Sequence, residues 1–297
     1  IWNWDPNVNE VGPGTISHSP QNLPSLNYIT QKFSKIGVGL TIQGDSSSNF
    51  LIGGPANDVI QAFAGNDSLY GGDGSDTLNG GAGADFMSGG GGSDVYWVDN
   101  VGDQVIETDA NITTGGNDTV YSSLAQYTLT NNVENSRILS AGAANLTGNS
   151  LNNYLYAGDG NNILDGGVGF DYARYDYASA AVNVSLSTTA AQNTGGSGND
   201  TLLNVEGLVG SKFNDTLTGS SSNNRIISGA GNDVISGGAG ADVLYGGTGS
   251  DTFVYTNHAD STLSSMDTIA DFALGDVIKI AHALPSGGYH AASHAST

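Results

Sequence analysis

Apolar residues return at every ninth position over much of this chain. Leu51, Ile60, Leu69, Leu78, Met87 and Tyr96 form one run; Leu155, Leu164 and Ala173 a second; Leu217, Ile226, Ile235, Leu244 and Phe253 a third. Two residues before each stands an Asp or an Asn, and glycines crowd the positions ahead of that. Written as nonapeptides, the runs are six windows from Gly44 to Trp97, three from Gly148 to Arg174 and five from Gly210 to Val254. At 38% apolar content, fourteen apolar eighth positions would arise by chance roughly once in a million trials. A nine-residue period predicts one tight turn and one short strand per repeat, with the middle strand residue pointing inward. Two such units close a flattened coil of eighteen residues. The fold class expected is therefore all-β: a parallel β-roll or β-helix solenoid.

That coil places successive sixth positions on opposite edges. Along one edge the spacing predicts Asn49, Asp67, Asp85 and, with the frame extended, Asp103; along the other, Asp58, Asp76 and Asp94. Stacked coils are about 4.8 Å apart, and carboxylates that close repel unless a cation lies between them. Of the fourteen sixth positions ten are Asp and four are Asn (Asn49, Asn153, Asn162 and Asn224), so the middle block is the poorest in charge. Glycines at positions one, two and four, as in Gly71, Gly72 and Gly74, are expected to supply the positive φ of a sharp turn. Turns of this kind aim backbone carbonyls inward, completing the all-oxygen shell of six to eight ligands that Ca2+ prefers. Zinc or copper would call for His or Cys, which the repeats lack. Same-edge pairs suggest roughly eight to ten ions. The competing reading is a glycine-rich solenoid whose Asp side chains only complete turns.

Composition sharpens this picture. Seven Lys and Arg face 29 Asp and Glu, for a net charge of −22. Such a chain should repel nucleic acid and anionic membrane surfaces. Eight to ten divalent ions would cancel most of that charge. There is no cysteine, and no run of 18 apolar residues to span a bilayer. Because the chain starts at Ile1, with neither Met nor a signal-like segment, a mature product or a fragment is expected.

The windows GGDGSDTLN, GGAGADFMS, GGAGADVLY and GGTGSDTFV resemble the repeats of the RTX (repeats-in-toxin) family, over residues 44 to about 280. The stretches around Asp118, Asp200 and Asp215 are also similar to the family, and the segment from Asp267 through Asp271 to Asp276 is similar to its DxIxDFxxGD closing motif. The resemblance implies a parallel β-roll, calcium at the turns, and extracellular or cell-surface localisation after export through type I secretion machinery. It implies carbonyl ligands at positions one to four: Gly71, Gly72, Asp73 and Gly74; Gly80, Gly81, Ala82 and Gly83; Gly237, Gly238, Ala239 and Gly240; Gly246, Gly247, Thr248 and Gly249. Beside them the candidate side-chain ligands are Asp58, Asp67, Asp76, Asp85, Asp94, Asp103, Asp171, Asp215, Asp233, Asp242, Asp251 and Asp271, with Asn49 and Asn224. The further carboxyl-terminal segment usual in the family is not evident.

The remaining segments divide the chain into an arm and capping helix (1–43), a first repeat block (44–106), an interlude (107–147), a second block (148–174), a second interlude (175–209), a third block (210–254) and a terminal cap and tail (255–297). Helical spacing of Leu26, Ile29, Phe33 and Ile36 between Pro24 and Gly37 predicts a short amphipathic cap. Trp2 and Trp4 belong to a linker, a packing arm or an aromatic sugar-binding patch. Val98 to Ile106 nearly keeps the frame, extending the first block by one strand. Val182, Val184 and Leu186 alternate as in a half-buried strand. Both interludes read as longer coils of one stack, with separate globular inserts as the alternative. No HExxH or GxSxG occurs, and the five histidines, His18, His258, His282, His290 and His294, all lie outside the repeats. The leading functional reading is a non-catalytic calcium-loaded secreted β-roll that folds on calcium after export, with a structural, adhesive or export role and a surface or polysaccharide partner. Its rivals are the carboxyl-terminal part of a secreted enzyme and a self-assembling surface-layer protein.

Overall fold

The computed structural model describes residues 37–108 and 113–281. Each nonapeptide there lays down a short strand with its middle residue inside, as in Thr77–Asn79, where Leu78 is buried between two half-buried neighbours. All fourteen eighth-position residues are at most 1% exposed and form one continuous core. Strands pair in parallel with partners eighteen residues on: Thr41 with Val59, Leu51 with Leu69, Leu78 with Tyr96, Leu217 with Ile235. Nine residues thus bring the chain from one wall of the solenoid to the other. Apolar side chains stack on their equivalents in the next coil, and each coil's backbone groups pair with the coils above and below.

The two walls differ. One is a single 12-stranded sheet running from Thr41–Gln43 to Thr268–Ile269, and it passes without interruption through both interludes by way of Thr119–Ser122, Asn135–Ile138 and Gly207–Val209. Opposite it lie three separate sheets of four, five and five strands. The first ends at Gln104–Ile106, where Val105 is buried and pairs with Met87, so the first block does carry one more strand. The second begins at Gln126–Thr128 and closes with an antiparallel hairpin of Gln192–Gly195 and Gly198–Leu203. The third opens at Asn183–Ser185, with Val184 buried at its centre and Val182 buried just before it, and closes at Val277–Ile280. Breaks fall where the nine-residue frame is lost. Asp94 and Asp118 take equivalent places 24 residues apart, and Asp171 and Glu206 take theirs 35 apart, rather than 18. The excess chain bulges from one wall and leaves the other in register.

Among the described residues there is no helix, and none long and apolar enough to cross a membrane. The amphipathic cap expected over 24–36, the tryptophan-bearing arm and the histidines other than His258 lie outside the described residues.

One expectation about glycine needs correcting. Most glycines at positions two and four take left-handed φ, for example Gly72 at 120° and Gly74 at 115°, but the glycines at position one do not. Position one is glycine for space: a Cβ on Gly71 would collide with the Asp76 carboxylate and the carbonyl oxygen of Gly89 in the next coil. At one second position the left-handed conformation is imposed on a bulky residue, Phe63, with φ 77° and its ring half exposed. A left-handed non-glycine residue costs about 1–2 kcal/mol, offset in part by the greater unfolded-state entropy of glycine. Phe63→Gly is therefore expected to stabilise the folded protein by about 0.5–1 kcal/mol. Thermal denaturation at fixed calcium checks this, and an unchanged or lower melting temperature would refute it.

The outer face of the long wall carries a strip of arginine on tyrosine. Arg137 lies 3.4 Å from the Tyr177 ring centroid, Arg174 4.7 Å from that of Tyr156, and Arg225 5.0 Å from that of Tyr245. Trp97 meets Tyr121 edge-on at the same face. Planar guanidinium groups are attracted to aromatic faces by cation–π interaction.

Candidate metal centre

The sixth-position carboxylates form ladders along both edges of the solenoid. One oxygen of each accepts the backbone N–H of the equivalent residue in the preceding coil. On one edge Asn49 N–H donates to Asp67 at 2.6 Å, Asp67 to Asp85 at 2.8 Å and Asp85 to Asp103 at 3.1 Å. On the other, Asp58 donates to Asp76 and Asp76 to Asp94, both at 2.7 Å. The third block repeats this with Asp215 to Asp233, Asp233 to Asp251 and Asn224 to Asp242, and the second with Asn153 to Asp171. The edges hold the residues the spacing assigned to them. Each strand begins directly after its acid, so the amide left over at the strand's start is capped from the next coil.

Sequence reasoning missed how far the ladders continue. Asp94 N–H donates to Asp118, and Asp118 N–H to Glu134. Asn162 N–H donates to Asp200, and Asp171 N–H to Glu206. At the far end Asp242 and Asp251 donate to Asp267 and Asp276. A signal for the glutamates was available. Both follow Asn-Val and directly precede a strand, as the repeat aspartates do, in a chain with only four Glu. Asp271 stands elsewhere, accepting the Gly246 and Gly247 amides at 2.9 and 2.8 Å.

The second carboxylate oxygen divides the turns into two kinds. In some it closes its own turn by accepting an amide: Gly54 N–H reaches Asp58 at 2.6 Å, and Asp103 takes those of Asp99 and Asn100. Ser211 N–H closes the Asp215 turn in the same way. All four Asn windows are closed too, through the amides of Asp45, Asn149, Gly158 and Ser220. In three of them the Asn Nδ2 also donates to a carbonyl of the preceding coil: Val133 and Glu134 from Asn153, Ala144 from Asn162, Glu206 from Asn224. In the other kind the second oxygen is buried with no hydrogen-bond donor. Nine aspartates are of this open kind: Asp67, Asp76, Asp85, Asp94, Asp171, Asp233, Asp242, Asp251 and Asp267.

Burial raises carboxyls on both sides of that division, the closed Asp215 included. Burial pushes the carboxyls of Asp76 and Asp94 up to about 7 and those of Asp67, Asp85, Asp171 and Asp267 up to about 6. Neighbouring carboxylates add to the rise, and the ladder amides oppose it. Asp233, Asp242 and Asp251 are raised for the same first reason. A buried oxygen in this state needs a proton or a cation. Backbone carbonyls of the turns stand close to these oxygens. The space that a Cβ on Gly71 would fill is bounded by the open oxygen of Asp76 and the carbonyl of Gly89, and the space at Gly53 by Asp58 and the carbonyl of Gly71. At Gly237 and Gly246 the corresponding space is bounded by the carboxylates of Asp242 and Asp251. The donor set is oxygen throughout and suits a hard dication.

Fold and site together define a repeat protein built as an acid-edged parallel β-roll. The sequence profile of the RTX calcium-binding nonapeptide repeat (4 copies) matches residues 43–78, 61–96, 70–105, 140–173, 208–235 and 218–253. These three blocks are RTX repeats, and it is to this calcium-binding repeat family that the chain belongs. No curated protein matches the chain.

Proposed function

We propose that this is a calcium-loaded RTX β-roll acting as a structural or adhesive module outside the cell, disordered at cytosolic calcium and folding on export through a type I secretion channel. The observation that carries the reading is the set of nine buried aspartate oxygens with no hydrogen-bond donor, ranked along the solenoid edges. Calcium, when bound, supplies the positive charge that joins carboxylates and carbonyls of successive coils. In this assignment the open aspartates are the strong ligands, helped by the position-one to position-four carbonyls of their turns. In the Asn153, Asn162 and Asn224 windows the Nδ2 group takes the place of a cation by donating to carbonyls of the preceding coil, so Asn224 contributes little, whereas Asn49 Nδ2 donates to the Asp45 carboxylate. The arginine–tyrosine strip supports a cell-surface or polysaccharide partner bearing carboxylates, since it gathers Arg137, Arg174 and Arg225 on one flat face of an otherwise acidic molecule.

Asp76→Asn keeps the oxygen that caps the Asp58 amide and removes the charge. It is expected to lower the number of bound calcium ions by at least one and raise the calcium midpoint of folding several-fold. Asp260→Asn, whose carboxylate caps the Thr256 and Asn257 amides outside the ladders, is expected to leave the count unchanged. Calorimetric titration with a circular-dichroism signal measures both, and equal effects of the two substitutions would defeat the assignment.

A further inference from the structure

On one solenoid edge the position-one glycines Gly71 and Gly89 are followed, eighteen residues on, by Glu107. It is the one acid at a first position in the frame, and it stands where the first repeat block meets the wider coil of the interlude. The Glu107 side chain enters the space a repeat leaves to backbone. It lies beside Asp94, the last repeat acid of that edge, and Asp118, the next rung. Ligand oxygens of the three residues all fall within 4.8 Å of one another, the one such group of three among the described residues. Calcium–oxygen distances of about 2.3–2.6 Å allow two ligands of one ion to stand that far apart.

Hydrogen bonds leave the group short of positive charge. Asp94 accepts the Asp76 amide through one oxygen, and Asp118 accepts the Asp94 amide through one of its own. Glu107 accepts the hydroxyl of fully buried Tyr96, whose oxygen takes the Gly89 N–H at 2.7 Å. The remaining oxygens of Asp94 and Glu107 are buried and have no donor. Asp94 is 0%, Asp118 1% and Glu107 6% exposed. No Lys or Arg pairs with any of them, since the one salt bridge among the described residues joins Arg174 to Asp176. A cleft of about 380 Å3, lined by Val105, Ile106, Glu107, Leu129, Thr130 and Asn131, reaches Glu107 where the broken wall parts.

We propose that Asp94, Glu107 and Asp118 form a separate cation site, of higher charge than the repeat sites, that joins the first repeat block to the interlude. Three carboxylates on a dication leave a net charge of −1, so the site takes calcium more tightly than a repeat turn and a trivalent lanthanide more tightly still. The inference rests on the calcium reading above for the ion's identity and for Asp94, a repeat acid, but not for Glu107 and Asp118, which lie outside the repeat windows.

Terbium titration of the full chain tests it, with tyrosine-sensitised luminescence as the readout. In the wild-type protein one ion is expected to bind at a concentration at least about tenfold below the rest. Glu107→Gln is expected to abolish that first phase and leave the later ones. An identical two-phase titration for wild type and E107Q, or a single phase in wild type, overturns the proposal. Should E107Q fail to fold in calcium, anomalous scattering from terbium-soaked wild-type crystals decides the matter. A peak among the three carboxylates supports the site. Peaks along the repeats with none at the triad overturn this proposal alone, and no bound ion anywhere overturns the repeat reading with it.

Discussion

Excess chelator at pH 8 is expected to unfold this protein, erasing its β-sheet circular dichroism, and millimolar calcium is expected to restore it. Extracellular calcium modules bind with Kd of about 10⁻⁴–10⁻³ M. With Kd of about 0.1 mM, each site adds about 1.4 kcal/mol at millimolar calcium by mass action, so eight or nine sites add about 11–13 kcal/mol. That equals the whole stability of a typical domain, about 5–15 kcal/mol. Coil packing is the reason for that expectation. Each coil of eighteen residues buries two repeat side chains such as Leu69 and Leu78, while setting carboxylates like Asp67 and Asp76 into the same interior with an oxygen unmatched. Without a cation those oxygens repel their neighbours one coil away. Native β signal persisting in chelator at pH 8 would refute the calcium dependence outright.

Acid and calcium are expected to compete for the same carboxylates. Without calcium, burial holds Asp118 near 8, Asp76 and Asp94 near 7, and Asp67, Asp85, Asp171, Asp200 and Asp267 near 6. An unfolded Asp titrates near 3.9. Between about pH 4 and 8 the folded chain therefore binds more protons than the unfolded one, so its calcium-free stability falls as pH rises. The contribution is complete below about pH 4 and lost as pH climbs through 6 to 8. In chelator, the protein is expected to hold more β structure at pH 5 than at pH 8. In calcium the order reverses, because the metal must displace those protons. The calcium midpoint should rise on acidification by up to about tenfold per pH unit for each proton displaced. Circular dichroism across a grid of pH and calcium concentration reads both limbs. A midpoint independent of pH would mean that the ladder carboxylates do not bind the ion.

Much of the site was legible because the repeat couples two constraints in one period. An inward apolar residue at position eight fixes the strand, and an acid two residues earlier must then sit at the turn. Asp76 and Leu78 illustrate this, and so do Asp242 and Leu244. The interludes hid their part because the rungs there are set by stacking, not by spacing. Asp118 follows Asp94 by 24 residues and Glu134 follows Asp118 by 16, yet each arrives at the same edge because the long wall keeps its register. No count along the chain reveals that.

The repeat pattern alone determined the all-β solenoid, the inward residues, the two acidic edges and the choice of an oxygen-loving ion, since all of these depend on residues within nine or eighteen positions of one another. Only the tertiary structure decided which aspartate oxygens stay open and which close their own turns, that first-position glycines serve space and not φ, and that Glu107 joins Asp94 and Asp118. Those outcomes depend on what the neighbouring coil presents at about 4.8 Å. A single strand and turn carry no record of that neighbour.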